Sequence, residues 1–262
     1  THFSFTYYLT FASTIFLIPI PMTFKKHIPN SITLLNLFCG CIAITFVVQQ
    51  QFEMAFYFVC LGIFLDFFDG FFARLFQVAS PLGLQLDSLA DMVTSGVVPG
   101  LTMCYMMLEA FGLKITDPFS GQYALAFLGF LVTLGSCYRL ANFNIDTRQT
   151  DSFIGLPTPA NALFILSLPL VVRHFDSFML FELLSNYGVL LAISIGSAYI
   201  LNAEIPLFSL KVKKLTFQDN KLTFFFLAVS LLLLVTLQFL GIPLVILFYI
   251  FLSILNNKFI KQ

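Results

Sequence analysis

Apolar residues fill the chain in runs of about 20, separated by short breaks that carry polar residues, glycine or proline. A membrane-spanning helix needs about 20 mostly apolar residues. The pattern predicts spans near residues 32–49, 52–76, 86–108, 121–141, 158–173, 185–203, 222–240 and 242–256. Only Gly241-Ile242-Pro243 separates the last two, a tight-turn signal. Polar and apolar residues do not alternate within the runs, which excludes a transmembrane β-barrel. The expected fold is all-α, a polytopic transmembrane helical bundle of about eight spans. No internal repeat is visible and no soluble domain fits between spans, so residues 22–262 read as one membrane-embedded domain. Residues 1–21 form an apolar N-terminal extension ending in Pro19 and Pro21, ahead of the basic stretch Met22-Thr23-Phe24-Lys25-Lys26. That extension reads as a signal-like segment, an extra helix or residues ahead of a misassigned start, and no function is assigned to it.

Composition sharpens this picture. Hydrophobic residues make up 59% of the chain and charged residues 10%, against about 25% charged in a soluble domain. Thirteen basic residues balance 13 acidic ones, which excludes a basic nucleic-acid binder and an acidic disordered tail. The cysteines (Cys39, Cys41, Cys60, Cys104 and Cys137) sit in apolar runs without metal-ligand spacing and read as small hydrophobes. The basic residues are placed asymmetrically. With Lys25 and Lys26 cytoplasmic, an even span count puts Arg74, Arg139, Arg148, Lys211, Lys213, Lys214, Lys221, Lys258 and Lys261 on the same side. Only Lys114 and Arg173 fall opposite, as the positive-inside rule predicts.

Against this background four carboxylates stand out. A charged residue at the centre of a spanning helix costs about 2.5–3.5 kcal/mol on insertion scales. Asp66 and Asp69 nevertheless lie near the end of the second run, and Asp87 and Asp91 open the third. Spacings of three and four residues set each pair on one helix face. A short turn with Ser80-Pro81 joins the helices, which predicts antiparallel neighbours with carboxylates converging at the cytoplasmic end. Four such groups would repel one another, and Arg74 alone cannot neutralise them. Divalent cations can, and hard oxygen ligands suit Mg²⁺ or Mn²⁺. Two ions can clamp a diphosphate and offset charge on a leaving group. Gly70, Ala73 and Gly83 leave room for close approach, and Arg74 can grip a phosphate with two prongs. The bland alternative is a set of aspartate caps at helix ends.

The pattern Asp66-x2-Asp69-Gly70-x2-Ala73-Arg74-x8-Gly83-x3-Asp87-x3-Asp91 resembles, without departure, the signature of the CDP-alcohol phosphotransferase family. The resemblance implies an enzyme that moves a phosphatidyl or related group from a CDP-linked donor to an alcohol and releases CMP. It also implies roles: Asp66, Asp69 and Asp87 as metal ligands, Asp91 as the general base beside or among those ligands, and Gly70, Ala73, Arg74 and Gly83 along the CDP moiety. Two ions, Mg²⁺ or Mn²⁺, and a homodimer follow from the same resemblance.

The acceptor is addressed by further segments. Ile28-Pro29-Asn30-Ser31-Ile32-Thr33-Leu34-Leu35-Asn36, Tyr138-Arg139-Leu140-Ala141-Asn142-Phe143-Asn144 and Phe153-Ile154-Gly155-Leu156-Pro157-Thr158-Pro159 resemble the integral-membrane phosphatidylserine synthases of bacteria. Ile205-Pro206-Leu207-Phe208-Ser209-Leu210-Lys211 is a weaker match, and Asn142 stands where that group more often has Arg. The implied reaction takes CDP-diacylglycerol and L-serine to phosphatidylserine and CMP, in a bacterial inner membrane with the site facing the cytoplasm. Arg139 can bind the serine carboxylate as a two-pronged pair, with Asn142 or Asn144 adding hydrogen bonds. Arg139 as a snorkelling anchor is the alternative. Asn30 can cap the first span, and Pro157 and Pro159 are expected to end a loop and open the fifth helix. Phosphate-bearing acceptors would want a denser basic pocket than Arg139 and Arg148 supply, yet sibling enzymes making phosphatidylglycerophosphate or phosphatidylinositol-type lipids stay open. A divalent-cation transporter is the rival of another class; it would carry acids through the bilayer depth rather than at one end.

Overall fold

The computed structural model describes residues 25, 27–146, 153–208 and 220–260. The extension 1–21, Lys26, Arg148, Lys211, Lys213, Lys214 and Lys261 lie outside the described residues, as does the side chain of Lys258. Every apolar run expected to span is helical. In chain order these are α1 (His27–Val48), α2 (Phe52–Leu75), α3 (Pro81–Asp91) and α4 (Val98–Ala110), the last two joined by a π-helical turn at Met92–Val97. Next come α5 (Gly121–Ala126), a 3₁₀ turn and α6 (Leu131–Ile145), then α7 (Thr158–His174), α8 (Phe178–Leu184) and α9 (Tyr187–Asn202). The described chain closes with α10 (Lys221–Leu237) and α11 (Gly241–Ile260). Two short strands, β1 (Phe153–Ile154) and β2 (Pro206–Leu207), pair antiparallel.

By length and composition the described helices support four to five of the expected eight spans. Among the described residues, four stretches are long and apolar enough to cross a bilayer: His27–Val48, Phe52–Leu75, Gly121–Ile145 and Lys221–Asn256. The bent pair Phe178–Leu184 and Tyr187–Asn202, meeting at 67°, makes a fifth if counted as one. α7 is only 17 residues long, and the third run opens with Asp87 and Asp91. The stretch Lys221–Asn256 folds back on itself, because the Phe226 and Tyr249 rings lie 5.4 Å apart. A straight helix would separate them by roughly 35 Å.

Small residues and sequence breaks set the packing. Ser80 caps α3, its Oγ accepting from Gly83 N at 3.1 Å, with Pro81 at the first helical position. Pro99 lacks the amide that would bond the Ser95 carbonyl, and its ring crowds that carbonyl; the wide π turn lies just ahead of it. As the prolines predict, α7 opens at Thr158 between Pro157 and Pro159. Asn30 is not a cap: α1 already begins at His27, so Asn30 lies within its first turn.

The neighbour relations also differ from expectation. α2 and α3 pack chiefly through α1, which lies against both, and α2 meets the third helix mainly at the π turn. A core of Ala43, Val47, Phe52, Ala55, Val59, Tyr105, Leu166 and Leu170 joins α1, α2, α4 and α7. At one end of this core the Arg173 Nη1 donates to Gln50 O in the α1–α2 turn, at 2.7 Å. The aspartates gather toward the other end. Large exposed side chains on α2, among them Phe64, Phe67 and Phe71, present the apolar surface of an integral membrane protein to lipid.

Candidate active site

The carboxylates of Asp66 and Asp69 leave α2 one helical turn apart, and that of Asp87 leaves α3 toward them. One oxygen from each lies within 4.8 Å of the others. Three carboxylates this close form an all-oxygen donor set that fits a hard divalent ion. Asp69 is buried, Asp66 and Asp87 half-buried, so an entering ion keeps room for water or phosphate oxygens. Asp91 is buried one turn beyond Asp87 and falls outside this triad of close oxygens.

What tethers the acids comes from α1. Thr33 Oγ1 donates to Asp69 Oδ2 at 2.5 Å. The Asn36 amide reaches Asp66 Oδ1 at 3.4 Å and Asp91 Oδ1 at 3.3 Å, both long for hydrogen bonds. Asn36 is itself completely buried, and its backbone carbonyl accepts from Thr94 Oγ1 in the π turn at 3.1 Å. Gly62 makes this meeting possible: a Cβ there would come within 2.8 Å of both Asn36 Oδ1 and Thr94 Cγ2. Thr33 and Asn36 carried no assignment in the sequence reading. The available signal was their placement three residues apart, on one face of an otherwise apolar run.

The residues expected along CDP line the open side. Arg74 is exposed and donates from Nε to Gly70 O at 2.9 Å, so it is not tied to the aspartates. A Cβ on Gly70 would meet only Arg74 Nη2, at 3.8 Å, and the half-buried Ala73 lies one turn from Gly70. Gly83 lies under Asn30, whose Oδ1 is 3.3 Å from where a Cβ would stand.

The three residues expected at the acceptor separate. Arg139 is 7% exposed, and its Nε and Nη2 are buried without hydrogen-bond partners. Its guanidinium interacts electrostatically with Asp91 and lies 5.6 Å from the Phe143 ring centroid. Guanidinium N–H groups left without hydrogen-bond acceptors this deep in a protein are costly, which leaves two donors able to take up an anion. Arg139 and Asn142 line a cavity of about 360 Å³ with Asp146, Ile154, Asn202 and Glu204. Asn144 turns elsewhere: its Nδ2 donates to Ser88 Oγ at 2.8 Å, which fastens α6 to α3 between Asp87 and Asp91.

Comparison with known proteins identifies the family. The model of a family described as CDP-alcohol phosphatidyltransferase matches residues 26–194. A Bacillus subtilis protein named CDP-diacylglycerol–serine O-phosphatidyltransferase is 36% identical over 147 residues, covering 55% of this chain and 75% of its own. Proteins of the same name from Helicobacter pylori J99 and Saccharomyces cerevisiae are 36% and 32% identical. The matches to these two span 53% and 56% of this chain, and about half of each relative's length, 55%.

Proposed function

The chain belongs to the CDP-alcohol phosphatidyltransferase family, and from that premise we propose that it transfers a phosphatidyl group from CDP-diacylglycerol to L-serine. The products are phosphatidylserine and CMP. One observation supports the choice of site and acceptor together: the buried Arg139, with two guanidinium nitrogens lacking hydrogen-bond partners, lies within the field of Asp91, one turn from Asp87 of the triad.

Asp66, Asp69 and Asp87 would hold a pair of Mg²⁺ or Mn²⁺ ions, with Asp91 adjacent, and such ions supply positive charge that offsets the diphosphate and the departing CMP. Gly70, Ala73, Arg74 and Gly83 receive the nucleotide, Arg74 through a two-pronged contact with phosphate. Arg139 pairs with the serine carboxylate and orients the hydroxyl toward Asp91. Asn142 contributes at the cavity wall, and Asn144 steadies α6 against α3 through Ser88. Asp91 accepts the hydroxyl proton as the serine oxygen bonds to the lipid-side phosphorus, and the bond from that phosphorus to the CMP oxygen breaks in line. Thr33 and Asn36 hold the acids at fixed positions, so most of the acceleration comes from orientation and charge stabilisation.

In the membrane we place eight crossings, with the aspartate end facing the cytoplasm of a bacterial inner membrane, and residues 22–262 as one domain in a homodimer. The asymmetry of basic residues supports the orientation. The donor enters sideways from the cytoplasmic leaflet past the phenylalanines of α2. The test supplies purified protein with labelled CDP-diacylglycerol and, in turn, serine, glycerol 3-phosphate or inositol phosphate. Phosphatidylserine and CMP are expected from serine alone. A phosphatidylglycerophosphate product would reassign the protein to a sibling activity.

A further inference from the structure

The cavity beside Arg139 joins groups of both charges. Its lining includes the buried Arg139 together with Asp146, at the end of α6, and Glu204, just past α9. Two segments far apart in sequence, 153–157 and 205–208, meet to hold this wall. β1 pairs with β2, Gly155 N donates to Ile205 O at 3.0 Å, and Leu156 N donates to Ile200 O at 3.1 Å. Gly155 adopts φ +76°, and a Cβ there would stand 2.5 Å from Leu201 O, so only glycine lets the chain pass this close to α9. Ala203 and Leu207, on either side of Glu204, are buried. Glu204 is thereby set at the cavity by backbone pairing rather than left on a loose loop.

We propose that Glu204 and Asp146 receive the ammonium group of the acceptor while Arg139 receives its carboxylate, which makes this cavity a recognition site for an α-amino acid. The inference rests on the serine reading above and deepens it. An amino acid differs from other small alcohols in carrying both charges on one carbon. A cavity lined by one guanidinium and two carboxylates is complementary to that pair. A carboxylate has about four lone-pair directions, so each acid can accept from an ammonium in addition to bonds within the chain. The volume, about 360 Å³, far exceeds that of one water, roughly 30 Å³. With carboxylate and ammonium both engaged, the side-chain hydroxyl is the group left to reach Asp91. Glu204 and Asp146 are thus specificity-determining residues for the acceptor.

The test uses purified full-length protein with CDP-diacylglycerol and Mg²⁺ or Mn²⁺. It compares the wild type with Glu204→Gln and Asp146→Asn, measuring KM for serine and the inhibition constant of 3-hydroxypropionate, which is serine without its ammonium. Losing a hydrogen bond to a charged group corresponds to about a 10-fold or greater loss of affinity. Serine KM should therefore rise at least about 10-fold in Glu204→Gln, and by a smaller or similar factor in Asp146→Asn. Inhibition by 3-hydroxypropionate should hold or tighten, and KM for CDP-diacylglycerol should stay put. Equal weakening of serine and 3-hydroxypropionate would assign these acids a merely structural role and overturn the inference. So would an unchanged serine KM in both variants. If the wild type makes no phosphatidylserine, the serine reading itself fails, an outcome separate from either of these.

Discussion

Asn36 on α1 donates to Asp91 on α3 at 3.3 Å, and the same amide lies 3.4 Å from Asp66 on α2. One neutral side chain thus ties the proposed base to the metal-ligand group. Because Asn36 is completely buried between these helices, the contact is shielded from water. A hydrogen bond to a charged group is worth about 1.5–3 kcal/mol. Replacing Asn36 with leucine should lower kcat by about 10- to 150-fold while leaving KM for serine within a few-fold. A kcat near wild type, measured with both substrates saturating, would make Asn36 a packing residue only.

Asp91→Asn keeps the shape of the side chain and removes its capacity to accept a proton. Turnover should fall at least about 100-fold, the scale of losing a general base. Binding of CDP-diacylglycerol should survive. If that variant instead loses the nucleotide, Asp91 serves the metal before it serves the proton.

Chelation should abolish activity, and Mg²⁺ or Mn²⁺ should restore it. Asp66→Ala and Asp69→Ala each remove one of the oxygens that converge within 4.8 Å. Both should lose metal-dependent CDP binding, measurable by calorimetry without turnover. Full activity in excess chelator would dismiss the metal assignment.

Arg139→Lys retains the charge but not the planar fork that matches a carboxylate. Serine KM should rise about 10- to 150-fold, on the strength of a charge-assisted hydrogen bond, with KM for CDP-diacylglycerol little changed. An anchoring residue would behave differently, lowering the yield of folded protein at a normal serine KM. A selective rise for the lipid donor would move Arg139 to the diphosphate side.

Gly62→Val tests the helix contact beneath the site. Its first added carbon would lie 2.8 Å from Asn36 Oδ1 and Thr94 Cγ2, so α1 and the π turn must separate from α2. Overpacking of this kind costs about 1–3 kcal/mol. Both thermal stability in detergent and activity should drop, the latter because Asn36 loses its reach to Asp66 and Asp91. Wild-type values for both would show that the helices yield there freely.

The sequence by itself determined where the helices lie and which acids share a helix face. Both are local properties: apolar run length sets a span, and spacings of three or four residues set a face. Asp66 and Asp69 share a face of α2, and Asp87 and Asp91 a face of α3, for that reason, and Arg139 could be singled out as a basic residue near their depth. Only the tertiary structure decided how the acids are held. Thr33 and Asn36 are distant from them in sequence, and no local period announces that α1 lies between α2 and α3. The separation of Asn144 from Arg139 has the same origin, since Ser88 on α3 takes up the Asn144 amide. So has the meeting of residues 153–157 with 205–208, which carries Glu204 to the cavity wall. Hydrogen bonds and close backbone approaches of this kind depend on which helices become neighbours in three dimensions, a choice made by the packing of the whole bundle.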